Sequence, residues 1–231
     1  MNGFSMLGLL ASQPTKAFES LRERPRFAFA LLLALGASLL TTIWYYQVVD
    51  LAWLMDETLR GNPRTAGLDE AQRARVVQAM SGGVAKFMSV VAVAVMILVI
   101  RLLESTYYLL ASKFTQLQFS FRQCFALSCW SSLPTLLATI PAIFVLATTT
   151  NGQIENGEMN PLSLNELVFH RHMGDPAYSL LVSIGPLQLL AWGLAFIGVR
   201  SWSGRSAVFS AVFVLLPPAV VYGCWAVMAL R

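Results

Sequence analysis

Two charges interrupt an otherwise apolar or aromatic run. In VMILVIRLLESTYYLL, residues 95–110, Arg101 and Glu104 stand three positions apart. At that spacing a guanidinium and a carboxylate meet on one face of a helix and pair. Ionisable side chains inside a lipid-facing segment are costly, so they mark a neutralised pair or a polar pathway. Two readings stand at this point. The pair is structural, lying just below the inner headgroups and followed by a Tyr107–Tyr108 belt, or it faces the bundle interior and lines a polar site. Self-pairing implies that losing both charges is better tolerated than losing one.

A second constellation is NELVFHRHMGD, which gathers Glu166, His170, His172 and Asp175 within ten residues. On a helix Glu166 and His170 would share a face, and His-x-His can offer two ligands to a transition metal. No complete ligand set is legible, so these are read as solvated loop residues, with no metal and no cofactor. Cys124, Cys129 and Cys224 are odd in number and lack metal spacing, which makes them small apolar fillers. Neither a GxSxG, an HExxH, a Walker loop nor a dinucleotide fingerprint occurs, so no catalytic residue is assigned and no enzyme is expected.

The elements that must carry these residues are membrane spans. Of 231 residues, 56% are hydrophobic and 12% charged, against about 25% charged in ordinary soluble domains. Mean hydropathy is +0.62. A helix needs about 20 mostly apolar residues to cross about 30 Å of hydrocarbon. Five stretches qualify: about 27–49, 87–110, 124–147, 177–199 and 206–230. The expected fold is an all-α polytopic bundle of five transmembrane helices. It has a short amphipathic N-terminal segment (1–26, cytoplasmic) and one membrane domain (27–231), leaving no room for a large soluble domain. No cleavable signal peptide is expected, because the first apolar run ends in Trp44, Tyr45 and Tyr46, an interfacial belt rather than a cleavage site.

Orientation follows from basic residues near the span ends. Lys16, Arg22, Arg24, Arg26, Lys113, Arg122, Arg200 and Arg205 place eight basic residues against Glu19 and Glu23 on one side. The other side balances Arg60, Arg64, Arg73, Arg75 and Lys86 with five carboxylates, and adds the acidic loop 150–175. The N-terminus is therefore expected inside and the C-terminus outside. The pI near 9.2 is read as attraction to anionic headgroups at the inner face, not to nucleic acid.

Within the flanking segments, SQPTKAFESLRERPR predicts a helix from Pro14 that ends before Pro25. Its stripe of Ala17, Phe18 and Leu21 is expected to lie on the membrane surface. Val48, Leu51, Met55 and Leu59 recur at helical spacing, so the first span is expected to continue as an amphipathic extension. LDEAQRARVVQAMSGG predicts a further helix, with Asp69 and Glu70 in its first turn and Gly82–Gly83 as its stop. Prolines 134, 141, 186, 217 and 218 predict kinks. Ala191 with Ala195, and Ser203, Ala207 and Ala211, are read as small-residue packing positions.

Three stretches together resemble a bacterial Yip1 domain protein: QPTKAFESLRERP (13–25), FRQCFALSCWSSLP (121–134, after the Lys113–Phe114 turn) and PLQLLAWGLAFIG (186–198). The resemblance implies five spans and a role in membrane organisation or trafficking, and it supplies no catalytic residue. The Asp-Leu-Tyr-Gly-Pro motif of the eukaryotic members is absent, so their small-GTPase partners are not carried over. The expectation is a non-enzymatic multi-pass protein of the bacterial inner (plasma) membrane. Its partners would be lipid and other membrane proteins. The alternative is a small transporter or channel using the kinked spans and the Arg101–Glu104 pair.

Overall fold

The computed structural model describes residues 2–62, 65, 67–155 and 157–229. Arg64 of the first long loop, with Leu230 and Arg231 at the end of the last span, lies outside the described residues. Among the described residues helices are the regular structure, with no strand.

An element not foreseen comes first. Helix α1 (Gly3–Ser12) starts where the Asn2 side chain accepts the Ser5 N–H at 2.8 Å. Helix α2 (Pro14–Glu23) has Pro14 in its first turn and stops short of Pro25, as predicted, because the residue before a proline avoids helical backbone. Helix α3 (Ala28–Val48) does not run on as an amphipathic extension. Asp50 adopts an extended conformation and its carboxylate accepts the N–H groups of Ala52 and Trp53, both at 3.1 Å, so a separate helix α4 (Leu51–Gly61) begins. A short acidic side chain satisfies orphan donors at a helix start better than it serves mid-helix. Helix α5 (Glu70–Met80) opens with a reciprocal Asp69–Gln72 capping box, in line with its acidic first turn.

Helix α6 (Gly83–Phe114) is longer at both ends than the predicted span. Gly83 opens it, while Ser81 ends α5. At 1.5 Å per residue its 32 residues extend about 48 Å, well beyond the hydrocarbon thickness. The third span is segmented: α7 (Phe121–Ser131), a 3-10 stretch (Leu133–Ala138) and α8 (Thr139–Thr148). Pro134, lacking an N–H, sits at the start of that tighter stretch. A π turn (Asn165–Phe169) and α9 (Tyr178–Ser183) follow. Helices α10 (Pro186–Ser203) and α11 (Ala207–Ala229) complete the chain, and α11 holds Pro217 and Pro218 within it.

Among the described residues four helical stretches are long and apolar enough to cross a membrane: α3, α6, Phe121–Thr148 and α11. The predicted fourth span, 177–199, is instead divided at Gly185–Pro186 into α9 and the 18-residue α10. Gln188, Arg200, Ser201 and Ser203 lower the hydropathy of α10, and it is not among the four.

The chain divides into two compact units. One comprises Met1–Gly36, Met96–Leu136 and Leu187–Cys224. Its core centres on α7, whose residues from Cys124 through Ser131 are all buried. A helix enclosed on every side needs apolar or internally satisfied residues all round, and FALSCW provides them. Ala17, Phe18 and Leu21 of α2 are buried in this same core, with Val199 and Trp202 of α10. The α2 stripe therefore packs against protein, not against lipid. Trp202 Nε1 donates to the Phe18 carbonyl at 2.7 Å, and Gln123 Nε2 donates to the Arg22 carbonyl at 2.8 Å. At Gly198 any side chain would collide with Leu127, so glycine lets α10 approach α7 closely. Ala191 and Ala195 are buried, matching their packing assignment. Ser203 and Ala207 fall either side of the turn at Gly204 and do not share one helix face.

The other unit comprises Ala37–Val95, Leu137–Pro186 and Trp225–Arg231. Its core gathers Tyr45, Val49, Leu51, Leu54, Leu146 and Ile154. Tyr45 is buried and its hydroxyl donates to the Ile154 carbonyl at 3.1 Å. Of the expected Trp44–Tyr46 belt, Tyr45 thus serves the interior while Trp44 stays exposed.

Candidate functional site

Arg101 and Glu104 lie on α6, which brings them within 2.8 Å of each other, Nη1 to Oε2. Their side chains are 19% and 22% exposed. The pair is not closed on itself. Arg101 Nη1 also donates to the Ser128 carbonyl at 3.0 Å and to Ser128 Oγ at 3.2 Å. The Ser128 hydroxyl in turn donates to Glu104 Oε2. Tyr108 completes the set, its hydroxyl donating to Glu104 Oε1 at 3.1 Å. One carboxylate thus receives donors from Arg101, Tyr108 and Ser128.

Local structure explains the convergence. Glu104 and Tyr108 are four residues apart on α6 and stack on one face, with Arg101 three residues before Glu104. Ser128 lies near the C-terminal end of α7, where backbone carbonyls attract a cation. Ser128 is fully buried and Tyr108 almost so. The Tyr108 ring stacks on Phe213 of α11 with centroids 5.9 Å apart, while Tyr107 donates its hydroxyl to the Phe213 carbonyl at 2.9 Å. The expected Tyr107–Tyr108 belt is therefore an internal contact that joins α6 to α11. A charged network of this kind costs desolvation, and hydrogen bonds to charged groups, worth about 1.5–3 kcal/mol each, offset it. Chemically it is a clamp between α6 and α7. Ser128 and Tyr108 were not singled out in the sequence, although the i, i+4 spacing of Glu104 and Tyr108 was a usable signal.

The second constellation is not assembled into a ligand set. Asn165 Nδ2 donates to Glu166 Oε1 at 2.8 Å, the His172 N–H donates to Asp175 Oδ2 at 3.0 Å, and both histidines are exposed. His170 closes the π turn in left-handed conformation at φ 50°. No group of three or more potential metal ligands occurs among the described residues. Partial desolvation holds the Glu158 carboxyl above its ordinary range, and the Glu155 and Glu166 charges add to this. Cys124 and Cys129 are free and buried, whereas Cys224 is free and exposed.

Helices of membrane-crossing length, with a partly buried ion pair braced between two of them, define a multi-pass membrane protein. The family model that matches the chain is the Yip1 domain, over residues 7–228. The chain belongs to the Yip1 domain family. No curated protein and no solved structure shows significant similarity to it.

Proposed function

We propose that this protein is a non-enzymatic, five-crossing member of its family, inside at the N-terminus and outside at the C-terminus, in a bacterial inner membrane. It acts through contacts with other membrane proteins or with lipid, in membrane organisation or a trafficking-like role. Residues 1–26 form its cytoplasmic segment, and the fifth crossing is made by α9 and α10 together across their Gly185–Pro186 break. The observation that carries this reading is the consumption of Glu104 by Arg101, Ser128 and Tyr108. The most polar group of the spans is spent on holding helices together. The apolar faces of α6 and α11, including Leu103 and Val212, are meanwhile exposed for contacts. Photo-crosslinkers at Leu103 and Val212, followed by identification of the adducts, test this. A reproducible set of membrane proteins or lipids is expected, and adducts no different from those of an unrelated multi-pass protein would overturn it.

The small transporter or channel remains the second reading. It is favoured by a cavity of about 310 Å³ lined in part by Ser38, Thr41, Thr42, Tyr45 and Thr139. Thr41 and Thr42 donate to the carbonyls of Ala37 and Ser38, which leaves their oxygens able to accept from a ligand. Solute uptake into proteoliposomes that Thr41→Val with Thr42→Val abolishes would establish this reading and displace the first.

A further inference from the structure

A cavity of about 490 Å³ lies within the first unit, where α2 gives way to α3. Pro25 ends α2, and residues 24–27 run non-helically to the start of α3 at Ala28. Three arginines, Arg24, Arg26 and Arg122, line this cavity, and among the described residues no carboxylate does. Its apolar lining includes Phe27, Phe29 and Trp130. Phe29 stacks on Trp130 with centroids 6.0 Å apart, and Trp130 Nε1 donates to the Arg26 carbonyl at 2.6 Å, so the wall is fixed by packing and by a hydrogen bond. Among the described residues the ion pairs are Arg60–Asp56 and Arg101–Glu104, so neither Arg24 nor Arg122 is neutralised by a described carboxylate.

We infer that this cavity binds the phosphate headgroup of an anionic phospholipid, with Arg24 and Arg122 at the phosphate and the aromatic wall against the glycerol and first acyl carbons. The required chemistry is a phosphate anion joined to an apolar body. Guanidinium groups match phosphate oxygens with forked donors. The volume falls in the range of small-molecule sites. The location selects the source. The cavity adjoins the first residues of α3, a helix able to cross a membrane, and such an end lies at headgroup level. Free phosphate would leave the aromatic wall uncovered. The inference rests on α3 being a crossing helix, but not on which side the N-terminus faces.

The test uses the full chain in neutral detergent and quenching of tryptophan fluorescence by phosphatidylglycerol with brominated acyl chains. Trp130→Phe identifies the Trp130 component. Brominated phosphatidylglycerol should quench it saturably, and brominated phosphatidylcholine should need a much higher concentration. At about 1 kcal/mol per basic residue, Arg24→Gln should weaken binding about fivefold, and Arg24→Gln with Arg122→Gln about 25-fold. Both side chains are exposed, so the double variant should keep its melting temperature without lipid. The charge-preserving Arg24→Lys with Arg122→Lys should retain most of the binding. Equal quenching by the two lipids, undiminished binding in the Gln double variant, or full displacement by equimolar inorganic phosphate would each overturn the inference, the last by showing a free-phosphate site. Reporter fusions assign the side of the membrane separately, so failure here is distinguishable from failure of the topology.

Discussion

Trp202 Nε1 donates to the main-chain oxygen of Phe18 at 2.7 Å, across 184 residues of sequence, with both side chains buried. This contact anchors the N-terminal segment to α10. An amphipathic helix ahead of the first span would ordinarily offer its apolar stripe to lipid. Here α10 and α7 occupy that stripe, so the segment belongs to the core of its unit.

Trp202→Phe removes one hydrogen bond and part of a packed ring, so a loss of about 2 kcal/mol is expected. Phe18→Ala should cost more, about 3–5 kcal/mol. Both should expose the Lys16–Arg24 region to trypsin before the rest of the chain. Unchanged proteolysis in either variant would mean that the N-terminal helices are held by other contacts.

The polar clamp gives a graded series. Glu104→Leu leaves a partly buried cation with only Ser128 as partner, whereas Arg101→Leu leaves a carboxylate that still receives Ser128 and Tyr108. Glu104→Leu is therefore expected to lower the melting temperature more, with a cost of about 3–5 kcal/mol. Replacing both by leucine should recover only part, because the buried Ser128 and Tyr108 hydroxyls then lack an acceptor. Adding Ser128→Ala and Tyr108→Phe should recover most of the remainder. A double variant as stable as wild type would show that the pair neutralises itself without help from α7.

Topology is checked by reporter fusions after Leu21, Gly61, Phe114, Gln153 and Ser203. Leu21, Phe114 and Ser203 should report one side, and Gly61 and Gln153 the other. Ser203 on the side of Gln153 would remove α9–α10 as a crossing and leave four spans.

Gly174 lies at φ +98°, and a side chain there would collide with the backbone of Gly61 at the end of α4. Gly174→Ala should therefore detach loop 170–176 from α4 and raise hydrogen exchange at residues 172–178, while Gly67→Ala, at an open position, should not. Equal exchange in the two variants would show that the loop tolerates the displacement.

Glu158 is desolvated and faces two further carboxylates, so its proton is held more tightly in the folded loop than in an unfolded chain. In that window the native state binds more protons, and stability rises as pH falls from neutrality toward the ordinary carboxylate range. Glu158→Gln should remove this dependence from hydrogen exchange of residues 157–166. A slope of the same size in the variant would show that Glu158 is not its source.

The sequence by itself determined the class and those element boundaries that a proline or an acidic first turn marks. Apolar runs near 20 residues are long enough to cross a bilayer, and Pro14, Pro25 and the acidic Asp69–Glu70 start act within one turn of themselves. The Arg101–Glu104 pair was legible for the same reason, since i, i+3 geometry needs no third element. Tertiary structure decided the rest. Ser128 meets Glu104 only because α7 packs on α6, and Tyr107, Tyr108 and Tyr45 point inward because a carbonyl or carboxylate elsewhere in the chain accepts each hydroxyl. An apolar stripe has the same periodicity whether lipid or protein covers it. Only the fold could show that Ala17, Phe18 and Leu21 are buried in one core with Trp202 and Val199. Asp50 reads as a tolerable residue in a helical pattern until its carboxylate is seen capping α4, because a cap and a helical interior differ by one backbone angle and not by composition.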